Sequence, residues 1–230
     1  MEYSPILALL TGSLEIGAAT YFLLKIGQKK ESFRVIIAIL FLLAGYQILE
    51  AFNCSRIFNG SLTRLAFADI TWLPALGVYY ISRQQEKAAP RIISYFYLGT
   101  ASVFSIWYLF ITQSLALSHC QNVIAVYTNN QPVYLLYSIY YQSGLLMMIL
   151  IPSFIRSTIE DPKRQMNLRD FQIGTLAFMI PSIGFVLYSE LLAKAMPSVM
   201  CHFALLLAIF LVRILYRENY EALQEEIQTA

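Results

Sequence analysis

An all-α membrane protein of seven transmembrane helices, with the N-terminus outside and the C-terminus cytoplasmic, is what the sequence predicts on three observations. The 230 residues are 58% hydrophobic and 13% charged, with a positive mean hydropathy, a composition outside the range of soluble domains. Apolar stretches of about 20 residues, the length that crosses a hydrocarbon core roughly 30 Å thick, recur along the chain with short connections between them. Lys and Arg are segregated. With the loops after the first, third and fifth stretches and the C-terminal end placed on one side, that side holds 13 of the 16, and the positive-inside rule assigns it to the cytoplasm. Residues 1–217 are read as one transmembrane domain and residues 218–230 as a charged cytoplasmic tail. The small net charge of +2, without basic runs interleaved with aromatics, speaks against nucleic acid as a partner.

The first stretch, about Pro5 to Ile26, has neither a basic flank before it nor a small-residue cleavage site after it, so it reads as a span rather than a signal peptide. It carries Glu15 near its middle, and Gly12, Ser13, Gly17, Ala18 and Ala19 suit close packing against a neighbour. The second runs from about Val35 to Phe52. The third, about Leu65 to Ile81, contains Trp72 and Pro74, and a proline at that depth predicts a kink whose freed carbonyl needs another partner. The fourth, about Ile92 to Leu117, is dense in aromatics, expected mostly at the lipid or the interface. A long polar loop free of Lys and Arg, SHCQNVIAVYTNNQP, leads to the fifth, about Val133 to Phe154. The sixth, about Phe171 to Ala193, follows a charged loop in which Asn167 or Asp170 is a plausible helix cap. The seventh, about Ser198 to Tyr216, begins with Cys201 and His202.

Charged groups inside such segments are costly and seldom lack a partner or a water-filled cavity. In the predicted topology Glu50, Asp69, Glu190 and His202 fall at nearly one depth, in the outer third of the bilayer, on helices two, three, six and seven. Each has a bland alternative: Glu50 can pair with Arg64, Asp69 can bond an indole or the carbonyl freed by Pro74, Glu190 is four residues from Lys194, and His202 can be a packing residue. Glu15 lies deeper, level with Gln142. Setting Glu15, Glu50 and Asp69 beside Gln142, Glu190 and His202 gives a weak 3+1+3 correspondence of the kind some sugar transporters show. Cys54 and Cys120 both map outside, where an oxidising compartment permits a bridge; free thiols are the alternative.

At GYQILEAFNC, RLAFADITWLPALGVYYISR and PSVMCHFA the chain resembles bacterial seven-transmembrane proteins of unknown function, in which a Gln and Glu on helix two and a Ser-x-x-Cys-x-Phe-Ala-like start of helix seven recur. The resemblance implies topology and a bacterial inner (cytoplasmic) membrane, and no activity. Microbial rhodopsins fit less well, because Met196 to Tyr216 has no lysine and no retinal Schiff base is expected. The zinc-dependent seven-helix hydrolases use three histidines, whereas this chain has two, His119 and His202.

The expected function is therefore that of a membrane sensor or binding protein. Its outward-facing acidic pocket would be lined by Gln47, Glu50, Asp69, Gln142, Glu190 and His202 and would take a small cation, an amine or another small ligand. No cofactor is named, and signalling would need a partner protein or a homo-oligomer. The alternatives are a metal-dependent intramembrane hydrolase using Glu50, Asp69, Glu190 and His202, and a proton-coupled transporter relaying protons through Glu15 and Asp69.

Overall fold

The computed structural model describes residues 4–26, 31–55, 61–85, 88–112, 115–121, 124–128, 132–188 and 195–229. Nine α-helices among them are α1 (Ile6–Ile26), α2 (Glu31–Cys54), α3 (Ser61–Ile70), α4 (Trp72–Arg83), α5 (Ala88–Ile106), α6 (Pro132–Ile155), α7 (Pro162–Tyr188), α8 (Met196–His202) and α9 (Ala204–Thr229). A π-helical turn, Trp107–Ile111, prolongs α5. Among the described residues five spans are long and apolar enough to cross a membrane, α3 and α4 together forming one of them, and a sixth results if α8 and α9, bent by 45°, are taken as one. The sixth predicted segment is helical as far as Tyr188 within α7, which begins in charged sequence and is not among those spans.

Burial separates central from peripheral helices. The span windows of α2 and of α3–α4 bury 61% and 72% of their residues, against 33% for α1 and 28% for the α5 span. Leucines and isoleucines on the outside of α1, such as Ile6, Leu10 and Leu24, are exposed, as suits a lipid-facing helix. The aromatics of α5 divide: Tyr95, Phe96 and Phe110 face outward, while Tyr97 and Tyr108 are buried. Tyr108 meets Tyr137 edge-on at 5.1 Å, within a cluster that also takes in Phe67 and Phe104.

The third span breaks at Thr71, three residues before Pro74, and the Tyr140 hydroxyl donates to the Thr71 carbonyl at 2.8 Å, so a tyrosine of α6 serves a carbonyl at the break. α6 approaches α4 closely at two glycines. A Cβ on Gly144 would lie 2.5 Å from Pro74 Cβ, and one on Gly77 would lie 2.5 Å from Met148 Sδ.

The fourth predicted segment overran. Its last residues, Ala116 and Leu117, belong to a strand, and the loop beyond contains the second: β1 (Ala116–Gln121) pairs antiparallel with β2 (Ile124–Thr128), Leu117 opposite Tyr127 and Cys120 opposite Ala125. Among the described residues the structure is helical apart from this hairpin. Ile124, Val126, Tyr127 and Thr128 are strand-favouring types, and a disulfide from Cys54, at the end of α2, to Cys120 in β1 holds the hairpin, the Cα atoms 5.7 Å apart.

At the other end, α7 starts on Asp161, whose carboxylate accepts the Lys163 N–H at 2.9 Å with Pro162 in the first helical position. The cap is thus Asp161 rather than Asn167 or Asp170, which lie inside α7. Both receive hydrogen bonds from Arg217 of α9, and Asp170, 1% exposed, also meets Arg213 at 3.4 Å. Asn167 donates to Glu218 at 2.6 Å, and Lys163 pairs with the same carboxylate. This network fastens α7 to α9.

Candidate functional site

α1 and α2 bring the first group together. Thr11 and Glu15, four residues apart, share one face of α1 and meet Gln47 of α2. A Cβ on Gly12 would stand 3.3 Å from Ile48 Cγ1 and 3.4 Å from the Ala44 carbonyl oxygen, so a glycine here lets the helices close up. Gln47 Nε2 donates to Glu15 Oε2 at 3.0 Å, while the Thr11 hydroxyl contacts Gln47 Oε1 and lies 2.8 Å from the Leu7 carbonyl. The remaining carboxylate oxygen, Glu15 Oε1, is buried and has no hydrogen-bond partner.

Three residues along α2, Glu50 is 1% exposed and accepts hydroxyls from Ser198 and Tyr127, with the Tyr46 hydroxyl also against its carboxylate. Ser198 of α8 donates to Oε1 at 2.7 Å, and Tyr127 of β2 to Oε2 at 3.4 Å; the Tyr46 hydroxyl in turn reaches Tyr127 at 3.3 Å. The Ser198 oxygen also accepts the Ala125 N–H at 3.0 Å. One turn on, His202 Nδ1 is 2.7 Å from the Ser198 carbonyl. A carbonyl only accepts, so Nδ1 carries a proton.

Two cavities adjoin this network. A narrow cleft, with room for about one water, is lined by Leu7, Ala8, Thr11, Gln47, Glu50, Cys201 and His202. A larger cavity of about 40 Å³ is walled by Tyr134, Tyr137, Tyr141 and Gln142 of α6 and by Met196, Met200 and Cys201 of α8. Cys201 lines both. The smaller space offers carboxylate, amide, hydroxyl and imidazole; the larger is mainly aromatic and apolar.

Of the predicted site residues, Gln47, Glu50 and His202 share the cleft, and Glu15 joins them through Gln47. Gln142 lines the larger cavity instead and its amide lies 3.6 Å from Met196 Sδ, so its match in depth to Glu15 has no counterpart in contact. Asp69 lines neither cavity. It faces Gly45, where a Cβ would lie 3.2 Å from Oδ2, and that oxygen is buried without a hydrogen-bond partner. Glu190 lies outside the described residues. Among the described residues no three His, Cys, Asp or Glu side chains are grouped so as to hold a metal ion.

Thr11, Ser198 and Tyr127 complete the site and were not singled out from sequence. Thr11 carries a readable signal, its four-residue spacing from Glu15. Ser198 stands in the PSVMCHFA motif, and Tyr127 in a β-branched run that marks a strand. Compared with protein-family models, with curated proteins and with solved structures, the chain matches none of them.

Proposed function

We propose that the protein is a seven-span binding protein or sensor of the bacterial cytoplasmic membrane. Its N-terminus and hairpin would lie outside, its C-terminus inside, and it would take a small cation or amine in the cleft at Glu50. The observation that carries this reading is the convergence of Glu50, Gln47 and His202 on one cleft, with Glu15 bonded behind them and a tyrosine-walled cavity sharing Cys201. A carboxylate in a low-dielectric site attracts a cation far more strongly than one in water, and aromatic walls favour organic ammonium groups. The disulfide at the hairpin end supports an oxidising, outer side there. The Lys and Arg of the α7–α9 network at the opposite end support a cytoplasmic side. Output would pass through a partner protein or a second copy.

Titration calorimetry of detergent-purified protein with a panel of alkyl and aryl ammonium chlorides tests the reading. Binding that is lost in Glu50→Gln supports it, and binding unchanged in that variant refutes it. Alkaline phosphatase fused at residue 122 and at the C-terminus tests the topology: activity is expected at the first junction and not at the second.

A second reading, a proton-coupled transporter of small solutes, draws on the buried and unpartnered oxygens of Glu15 and Asp69. Uptake by proteoliposomes driven by a pH gradient, abolished by Glu15→Gln, would favour it over simple binding.

A further inference from the structure

The described residues of the hairpin line neither cavity, and they meet the cleft at its margin, through Glu50 and Ser198. Val126 packs with Ala195 and Val199 beside α8, and Tyr127 sits edge-on to Phe67 with centroids 5.1 Å apart. A two-stranded sheet is marginal by itself, so β2 depends on such contacts for its position. Its polar links converge on one carboxylate: Tyr127 donates to Glu50 Oε2, while the Ala125 N–H is held by Ser198, which donates to Oε1. Cys201, three residues beyond Ser198 on the same short helix, is buried and lines both cavities.

We propose that the hairpin caps Glu50 at the margin of the cleft and that the Glu50 carboxylate is the latch that holds it there. A ligand that engages Glu50 competes with Ser198 and Tyr127 for the same oxygens and so releases β2. That last step rests on the binding function proposed above; the latch needs no ligand.

Cys201 is the one cysteine outside the disulfide, so its alkylation by N-ethylmaleimide under non-reducing conditions reports opening directly. In full-length protein in lipid nanodiscs, Ser198→Ala removes both the donor to Glu50 and the acceptor of the Ala125 N–H. The alkylation rate is expected to rise roughly tenfold or more, and Tyr127→Phe, which removes one donor, to raise it by a smaller factor of about three. Amide exchange is expected to accelerate in residues 124–128 and to stay unchanged in residues 206–215 of α9. Wild-type alkylation and exchange rates in both variants would overturn the latch. So would faster exchange spread equally over 206–215, because the bonds would then support the bundle rather than the cap. If the variants open the cap while no ammonium probe binds the wild type, the latch stands and the binding function fails. If a probe binds and leaves Cys201 alkylation unchanged, binding stands and release of the cap by ligand is wrong.

Discussion

Replacing Gln47 by leucine removes the only hydrogen bond that reaches the Glu15 carboxylate among the described residues and leaves both of its oxygens unpartnered inside the bundle. A hydrogen bond between membrane helices averages about 0.6 kcal/mol and reaches about 1.7, and leaving a buried polar group unsatisfied adds about 1–3 kcal/mol. Gln47→Leu should therefore cost about 2 kcal/mol, or roughly 4–8 °C in Tm at 2–4 °C per kcal/mol for a chain of this size. Glu15→Leu leaves a neutral amide rather than an acid without its partner and should cost about half as much. The double variant strands neither group, since the Thr11 hydroxyl keeps the Leu7 carbonyl at 2.8 Å, and should return to within about 2 °C of wild type. Thermal unfolding in detergent, followed by the fluorescence of Trp72 and Trp107, measures all three. A double variant that melts at or below the sum of the two single losses would refute the reasoning, because the pair would then hold the helices by more than mutual satisfaction.

The two close glycines of the α4–α6 interface should respond differently. Gly144→Ala forces a Cβ against Pro74 Cβ and Tyr97 Cε1, which cannot yield, at about 1–3 kcal/mol, whereas Gly77→Ala meets the flexible Met148 side chain and should lower Tm by less in the same melt. Arg217→Leu should destabilise by roughly 3 kcal/mol, the low end for breaking a buried pair because Arg213 stays near Asp170, and Asp170→Leu in the same chain should recover most of the loss. Cys54→Ser opens a loop with a sequence separation of 66 residues, so its Tm should fall by the equivalent of at most about 4 kcal/mol. Non-reducing gels should show the wild type running faster than the variant.

The acids were legible because a charge in an apolar run stands out whatever surrounds it. Their partners were not, since the partner of a membrane carboxylate is set by which helices touch. Glu15 was matched by depth to Gln142, yet α1 packs on α2 and brings Gln47 to it instead. Asp69 and Glu50, close in sequence and similar in predicted depth, part company because Asp69 turns to Gly45 while Glu50 turns to α8 and β2. The hairpin escaped notice because its strands are short and lie beside a long apolar helix, whose pattern a hydropathy reading extends to Leu117. The proline in the third span did announce a break, displaced by three residues to Thr71.

Glu50 and Cys54 are one helical turn apart on α2, and each reaches a different strand of the hairpin: Cys54 is bonded covalently to β1, and Glu50 reversibly to β2. The bond that can break is thus re-formed within a tether that never leaves. Short tethers of this kind hold their ends at effective concentrations on the order of millimolar or above, so Tyr127 confronts Glu50 as a permanent internal competitor. Under the proposed binding function, a cation at the carboxylate must displace Tyr127 against that standing concentration. Oxidation of two cysteines would in this way set the threshold at which the cleft responds.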